Sequence, residues 1–188
     1  YKLGGIGREP AFDRVTQLAA DLFDVPMSLV SIVGSDMQCF RGACGMDSTG
    51  TPRDQAFCAF AILGDQVMVV PDTFLDSRFA RHPLVLGDPW IRFYAGAPLL
   101  VDGLALGTLC LIDSAPRSFG AAERRRLAAL AETVVDMIEL RVDRFAAEAQ
   151  RQRVVAEREL LTLTVENVSE GVALFDGELR LTVWNEAF

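Results

Sequence analysis

The sequence predicts an α+β fold: an antiparallel sheet covered by helices on both faces, with a long C-terminal signalling helix. Two strand signals carry the sheet. Arg92 to Leu99 and Gly107 to Asp113 are apolar and aromatic runs flanking a Val101-Asp102-Gly103 turn, and Asp-Gly accepts the positive φ of a tight hairpin. Met27 to Val33 is a nearly continuous apolar run, as a buried central strand requires. The helical signal is a recurrence at three and four residues, first over Phe12 to Phe23 and again from Leu127 to Phe145.

Taken in order, Phe12, Val15, Leu18, Ala19, Leu22 and Phe23 form the apolar face of a first helix, which Pro26 stops. It covers the sheet. The Met27 to Val33 strand turns at Gly34-Ser35-Asp36 into a second strand over Gln38 to Ala43, making the first hairpin. Met46 to Pro52 is a polar, glycine-containing connection, and Asp54 to Leu63 carries a helix with Phe57, Cys58 and Ile62 near one side, ended by Gly64-Asp65. Val67 to Val70 is a third short strand. Residues 72–88 form a long loop with a helical piece at Ser77 to Arg81, before Pro83, and loops of this length usually carry function. The signature strand pair follows.

From Gly120 no Gly or Pro interrupts the pattern until Gly171. A helix of about 45 residues spans about 68 Å, more than one small domain covers, so its distal part needs another partner. Between Arg141 and Glu159 the apolar seam thins to Val142, Phe145, Ala149, Val154 and Val155, with Arg144/Glu148 and Arg153/Glu157 spaced to pair, as in a weakly specified coiled coil. Leu127, Leu130, Val134 and Ile138 are expected at a dimer seam or against the sheet.

Composition narrows the function. At 188 residues the chain holds one domain of ordinary size and a remainder, and its apolar fraction of 51% supplies a substantial core. No apolar run approaches the ~20 residues of a membrane span, so no membrane insertion is expected. Nothing at the N-terminus has the form of a signal peptide, and a start at Tyr1 rather than Met predicts a piece of a longer protein. A formal net charge of -8 opposes binding to nucleic acid; Arg124, Arg125 and Arg126, the basic cluster, spread around a helix as a solvated start. Cys39, Cys44, Cys58 and Cys110 contain no Cys-x-x-Cys pair, and one histidine cannot complete a metal set. Neither zinc nor a disulfide framework is indicated, and a reducing, cytoplasmic setting fits.

Pro52-Arg53, Phe57-Cys58-Ala59, Val70-Pro71-Asp72, Asp76-x-Arg78-Phe79 and the strand pair Phe93 to Leu99 and Leu106 to Asp113 occur in an order that resembles the GAF domain over residues 8–141. After the helical linker, at 120–166, residues 167–188 resemble the opening of a PAS domain: Val168 to Gly171, Val172 to Phe175, an Asp176-Gly177 turn, Leu179 to Trp184, and an Asn-x-Ala helix start at Asn185. The resemblance implies a cytoplasmic sensory module of a bacterial signalling protein. Such modules sit upstream of histidine kinase, diguanylate cyclase or phosphodiesterase outputs and work as homodimers, so no catalytic residue is expected in this chain.

The resemblance implies a ligand cavity but does not name the ligand. Bilin-binding members attach pigment through a Cys followed by His, whereas His82 lies between Arg81 and Pro83; the same lone histidine disfavours haem. The Asn-Lys-x-Asp-Glu motif of cyclic-nucleotide-binding members is absent. Phe57, Cys58, Ile62, Asp72, Arg78, Phe93, Tyr94 and Cys110 are expected to line a pocket for a small molecule. Two alternatives remain: a ligand-free dimerisation scaffold with a filled cavity, and a cysteine-based free methionine sulfoxide reductase in which Cys58 and Cys110 act as nucleophile and resolving thiol. The second fits less well, because Cys58 sits among Phe57, Ala59 and Phe60 as a small buried hydrophobe.

Overall fold

The computed structural model describes residues 7–167, 170–171 and 173–185. Two compact units divide it, 1–139 and 140–188.

The first unit is built on a six-stranded antiparallel sheet. Helix α1 (Pro10–Phe23) starts with Pro at its first turn and stops at Asp24, whose left-handed backbone returns an N–H to the Ala20 carbonyl. Strands β1 (Met27–Val33) and β2 (Met37–Cys44) form the expected hairpin, and β3 (Gly50–Pro52) adds an edge to β2. The polar connection expected over Met46 to Pro52 therefore contains a strand, held through register pairs such as Gln38 with Thr51. The helix expected over Asp54 to Leu63 is shorter and split. Arg53–Gln55 is a 3-10 turn, and α2 covers only Phe57–Ala61. Strand β4 (Met68–Val70) lies at the far edge.

In the 72–88 segment, Thr73–Leu75 is a 3-10 turn and the helix α3 (Pro83–Leu86) starts at Pro83 instead of ending before it. The reason is local. Proline fits the first helical position, and His82 caps the helix by accepting the Leu84 N–H on Nδ1 at 3.2 Å. Strands β5 (Phe93–Val101) and β6 (Leu104–Asp113) turn at Asp102-Gly103, both with positive φ (50° and 77°). The turn type explains why the strands run closer to it than the sequence suggested. Strand order is β3-β2-β1-β6-β5-β4.

Alternation along the central strands sends side chains to two separate cores. Phe93, Ala95, Ala97, Leu99, Leu109 and Leu111 pack with Phe12, Ala19 and Ala20 of α1 and with Leu127, Ala131, Val134 and Ile138 of α4 (Ala121–Glu166). Tyr94, Cys110 and Ile112 point the other way, joining Leu29, Phe40, Phe57, Cys58, Phe79, Val85 and Ile91 under α2, α3 and the long loop. Of the two roles left open for the α4 seam, packing on the sheet is the one observed: Leu127, Val134 and Ile138 are buried there, and Leu130 is half-buried against the same core.

The second unit contains the distal part of α4 and a hairpin of β7 (Ala173–Phe175) and β8 (Leu181–Trp184) around the Asp176-Gly177 turn. Asn185 is buried and donates from Nδ2 to the Glu170 carbonyl at 2.8 Å. The helix start expected after Asn185, and Val168 and Ser169, lie outside the described residues. No described helix is long and apolar enough to cross a membrane.

Candidate functional site

The cavity lies on the α2 face of the sheet. Tyr94 of β5, Phe40 and Gln38 of β2, Leu29 of β1, Ile112 of β6, Phe57 and Cys58 of α2, Leu84 of α3 and Ile91 just before β5 surround a space of about 30 Å³. A pocket for a drug-sized ligand measures about 300–1,000 Å³, so this interior is filled by its own side chains. The aromatic packing explains how. Phe57 stacks on Phe79 with ring centres 4.3 Å apart, meets Tyr94 at 5.3 Å, and receives the His82 ring edge-on at 4.9 Å. Two wall atoms have no hydrogen-bond partner, Gln38 Oε1 and Thr51 Oγ1. Both are buried, and an unmatched polar atom in an interior is costly.

Next to this void is a cluster of thiols and hydroxyls. The Tyr94 hydroxyl donates to Cys58 Sγ at 3.4 Å, and Cys58 Sγ lies 3.9 Å from Cys110 Sγ. Ser31 Oγ and Thr108 Oγ1, on paired positions of β1 and β6, are 3.2 Å apart beside them. Burial opposes a charge on Cys58, but hydrogen bonds from Cys110, Ser31, Thr108 and Tyr94 outweigh it and bring that thiol down to about 6. Cys110 moves the opposite way, because its hydrogen bond to Cys58 and its burial both favour the neutral thiol. Burial also raises Tyr94 well above the ordinary phenol range.

Tyr94 reaches the thiols because residue 96, next on the same face of β5, is glycine. A Cβ there would fall 2.3 Å from the Tyr94 hydroxyl oxygen.

The structure brings together four of the eight expected pocket residues, Phe57, Cys58, Tyr94 and Cys110. Phe57, Cys58 and Tyr94 line the void, while Cys110 lies in the same core behind Cys58 and, like the other four, does not line it. Phe93 belongs to the opposite core, since adjacent residues of a strand face opposite sides and Tyr94 already takes the cavity side. Ile62 is half-buried at the C-terminal end of α2. Asp72 is held by a two-point contact from Arg92 (Nε to Oδ1 3.0 Å, Nη2 to Oδ2 2.8 Å), with that guanidinium 4.2 Å over the Phe74 ring. Arg78 is tied to Asp76 by Nε at 2.9 Å and Nη2 at 2.6 Å. These carboxylates are ion-paired in the loop, and the hydrogen bonds from Arg92 and Arg78 hold both below the usual carboxylate range.

Sequence reasoning missed Gln38, Thr51, Ser31 and Thr108. A polar residue at an inward position of a strand is the available signal for Gln38, Ser31 and Thr108, whereas Thr51 lies in a polar, glycine-containing stretch that predicts a connection. Larger depressions lie on the surface of the first unit, including a groove of about 500 Å³ between the β5 edge and α4 lined by Asp65, Glu132, Asp136 and Glu139. Among the described residues no group of three or more His, Cys, Asp or Glu could hold a metal ion.

The GAF domain model matches residues 7–141, the sheet with both its helical layers. This chain belongs to the GAF family. Over 112 residues this GAF chain is 47% identical to a cyclic di-GMP phosphodiesterase of Pseudomonas aeruginosa, a match covering 59% of the chain but only 19% of that protein. Among solved structures it is similar to the blue-light-absorbing form of the PixJ GAF domain of Thermosynechococcus elongatus (TM-score 0.59, 13% identity, 76% of this chain and 90% of that one). It is also similar to a free methionine-R-sulfoxide reductase of Neisseria meningitidis solved with its substrate (TM-score 0.57, 18% identity, 68% of this chain and 75% of that one). At these identities the structural likeness shows the GAF fold alone.

Proposed function

We propose that this GAF chain is the regulatory module of a longer signalling protein whose output domain turns over cyclic di-GMP, and that it acts as a homodimer. The observation that carries the reading is the 47% identity over 112 residues to a cyclic di-GMP phosphodiesterase, a protein about five times longer than the matched part. That relative favours a cyclic-dinucleotide output over a histidine kinase. The chain's own part is positional: α4 packs on the sheet through Leu127, Val134 and Ile138, so an input acts through the packing of α4. Coupling exists to the extent that an input favours one packing of α4 over another.

The helix beyond the first unit supplies the dimer surface in this reading. Leu140, Phe145, Val154, Val155, Leu160 and Leu161 are exposed on it, and apolar side chains left in water are the usual mark of an absent partner. The hairpin that follows, with its Asp-Gly turn and buried Asn185, is read as the start of a PAS domain continuing the array.

A test exchanges the matched domain of the Pseudomonas phosphodiesterase for residues 7–141 of this chain and compares cyclic di-GMP hydrolysis in the chimera, the parent and a deletion lacking the domain. The chimera is expected to stay within a few-fold of the parent while the deletion departs by more. Equal rates in all three would remove the regulatory reading.

A second reading is supported by the filled interior. A cavity of about 30 Å³ suits a scaffold that dimerises without a ligand. Native mass spectrometry of the purified chain separates the two: a dimer with no added mass supports the scaffold, and a bound small molecule supports an input through this cavity.

A further inference from the structure

We propose that Cys58 and Cys110 are a dithiol pair oxidised by hydrogen peroxide, closing into a disulfide that draws α2 onto the sheet. The two sulfurs are 52 residues apart in sequence and 3.9 Å apart in space, from a helix on one side and the central strand β6 on the other. Buried thiols often meet as mere packing. Here they sit instead among hydroxyls, with the Tyr94 hydroxyl donating to Cys58 and the Ser31 and Thr108 hydroxyls alongside. Burial opposes a charge on the sulfur, but hydrogen bonds donated to it stabilise the thiolate, the reactive form.

The void explains the choice of oxidant. Cys58 lines it together with Gln38 and Thr51. Hydrogen peroxide is little larger than water and suits a space of about 30 Å³, whereas a hydroperoxide with a carbon chain exceeds it. The Cys58 sulfur attacks one peroxide oxygen; the S–O bond forms and the O–O bond breaks. The hydroxide that leaves takes up the proton lost by the Cys58 thiol, giving water and a sulfenic acid. Cys110 sulfur then attacks Cys58 sulfur. The S–S bond forms, the S–O bond breaks, and the departing hydroxide takes the Cys110 proton as a second water. Two thiols and one peroxide become one disulfide and two waters, with two electrons passing from sulfur to oxygen.

Closure requires the sulfurs to approach by about 1.9 Å, to the ~2.05 Å of a disulfide. Strand β6 is hydrogen-bonded on both sides, to β1 and β5, so the movable partner is the five-residue α2. Phe57 moves with it, and through Phe57 the contacts to Phe79 and His82. This inference does not depend on the cyclic di-GMP reading and stands or falls separately from it.

The test uses the whole chain, wild type and a Cys39→Ser/Cys44→Ser variant that removes the two half-exposed thiols. Folded protein is treated with hydrogen peroxide, then alkylated and digested without reductant for mass spectrometry. The expected result is loss of both remaining thiols and a Cys58–Cys110 linked peptide lighter by about 2 Da than its reduced pair, reversed by dithiothreitol. With Cys110→Ala in addition, Cys58 should stop at a sulfenic acid that dimedone captures; with Cys58→Ala, Cys110 should stay reduced. The wild-type peptide map keeps the test valid should a variant fail to fold. Two thiols that survive peroxide in the folded chain but react in urea would overturn the proposal, and so would oxidation of Cys58 to higher acids with Cys110 untouched.

Discussion

Tyr94 touches Cys58 only because residue 96 carries no side chain. Gly96→Ala would force a Cβ within 2.3 Å of the tyrosine oxygen in a buried layer, and the expected cost is about 1–3 kcal/mol. Gly64→Ala, where nothing lies within 4 Å, should cost under about 0.5 kcal/mol. Urea unfolding of the two variants checks the contrast, and equal midpoints would refute the described Tyr94 packing. His82 gives a second prediction. Its Nδ1 caps α3 while its buried Nε2 has no partner, and burial lowers its pKa below the ordinary value of 6.5. The unfolded chain therefore binds the proton more readily than the folded one, so this contribution to stability is complete above pH 6.5 and declines as the pH falls below it. His82→Asn keeps a capping acceptor, and its stability should fall less between pH 7 and 5 than that of wild type. A parallel fall in both proteins would show that other groups set the acid response.

The elements that could be read from the sequence are those whose period is set by a single face. Helix α1 and strands β1, β5 and β6 lie close to their expected places, because α1 buries one stripe and each strand is fixed between two neighbours. The segment 46–88 was read less well. Strand β3 is three residues long and defined by pairing with β2 rather than by its own pattern, and α2 is cut short where a 3-10 turn precedes it. Along α4, the same leucine and isoleucine types do different work. Ile138→Ala removes a side chain buried against the sheet and should cost about 2–5 kcal/mol. Leu160→Ala, at a position 65% exposed, should cost under about 0.5 kcal/mol in the monomer yet weaken self-association measured by sedimentation. If Leu160→Ala left association intact, the distal helix would not be the dimer surface.

For the molecule as a whole, core residues on both faces of the sheet run from Phe12 to Ile138, and the GAF match closes at residue 141. The fragment 7–141 should therefore unfold in one cooperative transition, with a midpoint in urea close to that of the full chain, and should lose the self-association carried by the distal helix. Loss of cooperativity would mean that later residues complete the core. A two-stranded hairpin such as β7–β8 has little stability of its own, so the second unit should show weaker protection from amide exchange than β1 and β6.

Periodicity, turn chemistry and motif order were enough to give the α+β class, the GAF family and the position of the long helix, because each of these is encoded by residues near one another in the chain. The candidate site was half legible. Phe57, Cys58, Tyr94 and Cys110 fall on one face of the sheet, whereas Phe93, adjacent to Tyr94 on one strand, cannot share it, and alternation does not say which of the two turns to the cavity. Only the tertiary structure decided that. It also set the Cys58–Cys110 distance, paired Asp72 with Arg92, and filled the interior to about 30 Å³. These depend on how chain segments far apart in sequence pack against each other, and no local pattern fixes a distance or a volume between them.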